Sequence, residues 1–126
     1  KITAKGGTMR LGSYPCEIRS GTLAEKIYHS NRIQERHRHR WEFNNRFQEQ
    51  FEQAGMIPSG RNPDTNLVEI IELPNHPFFI GVQYHPELKS TVENPAPLFV
   101  SFIKAAKDFS DGRNPVRNPL LQSEMI

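Results

Sequence analysis

The sequence has a single cysteine, Cys16, in 126 residues. It cannot close an intramolecular disulfide, and nothing marks it as a secreted scaffold held by cross-links, so a reducing, cytoplasmic setting is expected. No apolar run approaches the roughly 20 residues that span a bilayer, which excludes a helical membrane protein. Charge of one sign is also scarce. Sixteen Lys and Arg face 14 Asp and Glu, a net of +2, too mild by itself to demand a polyanionic partner, so any basic patch has to be local. The opening Lys-Ile-Thr-Ala has neither a start methionine nor the apolar centre of a signal peptide, and the chain is expected to begin inside a longer protein. What remains, 36% hydrophobic and 24% charged residues, suits one globular domain with one modest core.

Element types alternate along the chain. Thr8 to Ile18 alternates apolar and polar residues and predicts a strand ending near Tyr14-Pro15. Thr22 can cap a short helix through Leu23, Ala24 and Ile27, and residues 33–43 predict a strand or ordered loop. Asn44 or Asn45 can cap a helix carrying Phe47, Phe51 and Ala54, closed by Gly55. Leu67 to Leu73 and Phe78 to Tyr84 are rich in β-branched and aromatic residues and predict two strands. Pro97 to Phe109 places Leu98, Phe102, Ala105, Ala106 and Phe109 on a helical stripe. Mixed strands and helices in about 100 residues predict an α/β or α+β domain. Residues 110–126 hold two Asn-Pro steps and no apolar period. They are expected to form a flexible C-terminal tail, leaving 1–109 as the domain portion.

Three stretches can carry chemistry. In Gly81-Val-Gln-Tyr-His-Pro-Glu87 an apolar strand ends on His85, with Glu87 two residues on. An imidazole is the usual general base near neutral pH, and a nearby carboxylate fixes its tautomer and stabilises the imidazolium. A surface His and Glu flanking a turn is the alternative. In Glu35-Arg-His-Arg-His-Arg-Trp-Glu42 a strand would send Arg36, Arg38 and Arg40 to one face and His37, His39 and Trp41 to the other. Such a guanidinium face suits a carboxylate or phosphate. Its rivals are a solvated charge ladder and a nucleic-acid track, the latter opposed by the small net charge. A metal site built from His37, His39, His76 and His85 lacks close ligand spacing. Gly6-Gly7-Thr-Met-Arg-Leu-Gly12 has neither phosphate-loop spacing and is expected to be a tight entry into a strand.

In this order the stretches resemble one family, the class I or triad glutamine amidotransferase domain of CTP synthases. The resemblance covers about residues 5–110 and rests on GGTMRLG (6–12), ERHRHRWEFNN (35–45), LVEIIELPNHPFFIGVQYHPE (67–87) and PLFVSFIKAA (97–106). It implies a partial flavodoxin-like α/β fold, a mixed sheet with flanking helices. It also implies a glutaminase that hydrolyses L-glutamine and passes ammonia to a separate synthase domain, where UTP is activated with ATP and aminated to CTP. By that resemblance His85 is the triad base, Glu87 the acid that orients it, and Arg40 the glutamine-binding arginine. Trp41 stands where the family more often has Tyr or Phe, and Arg38 is a weaker candidate for supporting the same site.

The chain departs from the family in its nucleophile. A triad glutaminase attacks with a cysteine on a sharp strand-to-helix turn, and Cys16, in Ser-Tyr-Pro-Cys-Glu-Ile, has no flanking glycines. Cys16 is expected to fill a packing site. The nucleophile elbow and oxyanion glycines are expected upstream of Lys1, so the chain corresponds to the C-terminal portion of the domain and is expected to be inactive alone. The resemblance further implies ATP and Mg²⁺ bound by the synthase domain and not by this segment, no metal here, no nucleic-acid or membrane partner, and a homotetramer. The alternative is a non-catalytic glutaminase-like scaffold or regulatory remnant.

Overall fold

A computed structural model describes residues 9–113. The elements run in the order β1 (Arg10–Ile18), α1 (Leu23–Tyr28), β2 (Arg32–His39), α2 (Gln48–Gln53), β3 (Ile57–Arg61), β4 (Val68–Glu72), β5 (Ile80–Val82) and α3 (Pro97–Ser110), with single 3₁₀ turns at Asn45–Phe47 and Pro86–Leu88. The five strands form one sheet in the order β2-β1-β3-β4-β5, and each neighbouring pair is antiparallel. Residues 6–8 of the glycine stretch, and 114–126 of the expected tail, lie outside the described residues.

Where sequence and structure differ, local chemistry gives the reason. β1 does not stop at Pro15 but continues to Ile18, because β3 reaches only Glu17 and Ile18. Along its earlier residues β1 has a strand partner on one side alone, where a missing N–H is tolerated. The expected strand over Phe78–Tyr84 is a strand only at Ile80–Val82. β3, Ile-Pro-Ser-Gly-Arg, is a strand despite a composition that reads as a turn. Its pairing with β4 shifts register around Gly60, the usual sign of a bulge.

Gly60 is required by close approach. A Cβ there would lie 2.6 Å from Ile70 Cγ1 and Cδ1 and 2.9 Å from Cys16 Sγ, and both neighbours are fully buried. Gly60→Ala should therefore cost about 1–3 kcal/mol through overpacking, read as a lower denaturant midpoint at unchanged m-value. An unchanged midpoint would show that Ile70 moves aside freely.

The core has two parts. Cys16, Ile18, Ala24, Ile70 and Tyr84 pack under the sheet, and Leu23 and Ile27 of α1 meet Leu98 of α3. The N-terminus of α1 is satisfied from across the fold. The Glu72 carboxylate, 1% exposed, accepts the Leu23 N–H at 2.8 Å and the Ala24 N–H at 3.1 Å, and Thr22 Oγ accepts the Glu25 N–H at 3.2 Å. On α3 only Leu98 is buried. Phe99, Phe102, Ile103 and Phe109 are 39% to 67% exposed, so much of the expected apolar stripe faces outward.

β2 and β5 are the two edges of the sheet, yet the chain just past β5 turns back to β2. Gln83 N–H still donates to Glu69 C=O at 2.9 Å on β4, and two residues later His85 N–H donates to Arg36 C=O at 2.9 Å on β2. The sheet is therefore curled enough for its two edges to meet at His85.

Candidate active site

His85 is fixed at both ends of its residue. Its N–H is held by β2, and Pro86 opens the 3₁₀ turn that follows. Across that turn His85 Nδ1 lies 2.8 Å from Glu87 Oε2. A carboxylate only accepts, so Nδ1 carries the proton and donates, leaving the Nε2 lone pair to take a proton from a reacting group. The hydrogen bond from His85 holds the Glu87 carboxyl below the usual carboxylate range. The pair is partly open, with side chains 38% and 58% exposed. The sequence placed His85 and Glu87 together, and the structure pairs them.

Arg40 lies at the bend just beyond the end of β2, exposed, with Trp41 next to it at 68% exposure. Arg36 and Arg38 are exposed along β2, while His37 is buried on its opposite side. The predicted alternation holds through His39 and ends there, because the strand ends there.

Sequence reasoning missed the buried polar layer behind these residues. Arg10 sends Nη2 to Glu69 Oε2 at 2.7 Å and Nη1 to Glu42 Oε1 at 3.1 Å, tying β1 to β4 and to the segment after the bend. Glu35 and Tyr84 both meet the Tyr28 hydroxyl at 3.0 Å. His37 Nδ1 is 2.7 Å from His39 Nε2, and His39 Nδ1 is 3.1 Å from the Trp41 carbonyl oxygen. Burial, and then Arg10, pull His37 down to about 3, and burial also lowers His39, so both rings are neutral at physiological pH. The signal for this layer was present in Glu69 and Glu72, charged residues set inside the most apolar strand.

Cys16 is fully buried in the core, and burial pushes its thiol up to about 12, with Glu69 adding to the shift, the opposite of the setting that activates a thiol. Among the described residues no three His, Cys, Asp or Glu side chains are grouped to hold a metal ion, and no helix is long and apolar enough to cross a membrane.

Known proteins resemble this chain over most of its length. The family profile of glutamine amidotransferase class-I matches residues 1–105. Curated relatives include a CTP synthase of Cytophaga hutchinsonii, 62% identical over 112 residues (89% of this chain, 21% of the relative). Another is a CTP synthase of Flavobacterium psychrophilum, 65% identical over 105 residues (83% and 20%). The chain thus spans about a fifth of the length of the curated relatives it matches. Among solved structures, the glutaminase domain of Trypanosoma brucei CTPS with bound acivicin matches at TM-score 0.76 and 39% identity, over 80% of this chain and 40% of that one.

Proposed function

The chain belongs to the class-I glutamine amidotransferase family, and from that membership we propose that residues 1–109 are the C-terminal portion of the glutaminase domain of a CTP synthase. In the full-length protein this domain releases ammonia from L-glutamine for the ATP-dependent amination of UTP to CTP. The observation that carries the proposal is the His85–Glu87 pair, set at 2.8 Å beside a strand that is followed directly by an exposed arginine, Arg40. The outward apolar face of α3 supports it too. Phe102, Ile103 and Phe109 are surfaces that the remainder of such a domain, 60% of the matched glutaminase chain, would cover.

The division of labour follows from the groups present. Arg40 takes the α-carboxylate of glutamine through charge-assisted hydrogen bonds. A cysteine outside this chain gives its proton to His85 Nε2 and attacks the amide carbon. His85 returns the proton to the departing nitrogen, and water then cleaves the thioester to glutamate. Glu87 holds the ring and balances the imidazolium. As the family divides the work, ATP and its Mg²⁺ belong to the synthase portion. A cytoplasmic homotetramer, built mainly through that portion, completes the proposal.

The test uses the full-length protein with UTP, ATP and either glutamine or ammonia. CTP should form from both. Arg40→Ala should raise the KM for glutamine about 10- to 100-fold, the loss of one or two charge-assisted hydrogen bonds, without touching the ammonia reaction. CTP formed from ammonia alone, with no ammonia released from glutamine, would leave the chain a non-catalytic scaffold.

A further inference from the structure

His37 and His39 have no place in the chemistry above, and both point into the protein beside it. Their contacts run in a line. The Glu69 carboxylate lies 3.6 Å from His37 Nε2, His37 Nδ1 lies 2.7 Å from His39 Nε2, and His39 Nδ1 lies 3.1 Å from the Trp41 carbonyl oxygen. The line begins and ends on oxygens that only accept, so three hydrogen bonds would need three protons on the two rings. Two neutral imidazoles bring two.

The carbonyl end decides where they go. Trp41 C=O requires the proton on His39 Nδ1, which makes His39 Nε2 an acceptor and puts the second proton on His37 Nδ1. The missing proton is then at the Glu69 end. That is where the contact is longest, and where His37 Nε2 and Glu69 Oε1 are both buried without a hydrogen-bond partner. His37 is 1% and Glu69 1% exposed. The run of donors therefore has one direction, from the core outward to the Trp41 carbonyl. The far side of the bend is pinned as well, by Arg10 on Glu42, with Arg10 anchored in turn on the same Glu69.

We propose that His37 and His39 are positioning residues, a one-way pair of Nδ1–H donors that fixes the bend at residues 39–41 and so presents Arg40 to glutamine. The proposal rests on the role given to Arg40 above. Neither ring touches substrate. Their effect is on how well the arginine is held before glutamine arrives, so it falls on binding and leaves the chemical step unchanged.

Two variants of the full-length protein separate this role from a general structural one. Asn in place of His39 keeps an N–H at the Nδ1 position and hence the bond to Trp41, whereas Gln keeps a polar group at the Nε2 position toward His37 and loses that bond. His39→Gln should raise the KM for glutamine about tenfold at nearly unchanged kcat, with ammonia-dependent CTP formation intact. His39→Asn should stay within about twofold of the parent, the span set by one hydrogen bond. A parent-like KM in His39→Gln, a loss in kcat instead of KM, or equal damage in both variants would overturn the proposal. If the parent protein releases no ammonia from glutamine, the proposed function itself has failed. The tether is then judged by a crystal structure of His39→Gln, in which a shifted 40–42 backbone supports it and an unshifted one overturns it.

Discussion

His85→Ala in the full-length protein should cut glutamine-dependent CTP formation by about 10³-fold or more while ammonia-dependent formation stays within about twofold. The magnitude follows from what the ring supplies. On the proposed mechanism the attacking thiol then has no base and the leaving nitrogen no acid, so both halves of acyl transfer lose their proton carrier. About 10³ in rate is about 4 kcal/mol of transition-state stabilisation. Stability should change little, since the side chain is 38% exposed and its structural bond, from the backbone N–H to Arg36, survives the substitution. A paired assay with the two nitrogen donors reads the result. Glutamine turnover within tenfold of the parent would remove His85 from the mechanism.

The second large effect is on stability. Glu72→Ala strips the acceptor from two buried N–H groups, Leu23 and Ala24, at the N-terminus of α1. Hydrogen bonds to a charged group are worth about 1.5–3 kcal/mol each, and the orphaned donors cannot reach water. A loss of about 3 kcal/mol is expected, with Glu72→Gln, which keeps one good acceptor, losing about 1 kcal/mol. Denaturant titration measures both. Equal stability of parent and alanine variant would mean that water replaces the carboxylate and that the helix does not depend on it.

Both residues show which parts of the fold the sequence exposes. Local signals were enough for α1, with its Thr22 cap, for β4 with its β-branched run, and for α3 with proline at its first turn. They were also enough for the His85–Glu87 pair, whose geometry is decided by a Pro between two residues. They fail where a distant neighbour sets the rule. Gly60 is a glycine because Ile70 occupies the space of its Cβ, which no window around β3 contains. Glu72 reads as a solvated residue near a strand end, and only the fold brings α1 to it, with 49 positions between carboxylate and helix. His37 could be placed only on the face opposite the arginines, because Glu69, the carboxyl buried beside it, comes from another strand. The exposed stripe of α3 is the converse. Its helical period is correct, but of the residues of α3 only Leu98 is buried by the rest of the fold.

The meeting of the sheet's two edges at His85 also orders events in time. β1 and β2 are neighbours in sequence and can zip as a hairpin early, at low loop-closure cost. The bond from His85 to Arg36 closes a far longer loop and needs the curl of β3, β4 and β5 in place, so it is expected to form late. A chain in which the curl is incomplete keeps His85 away from β2 and from Arg40 just beyond its end.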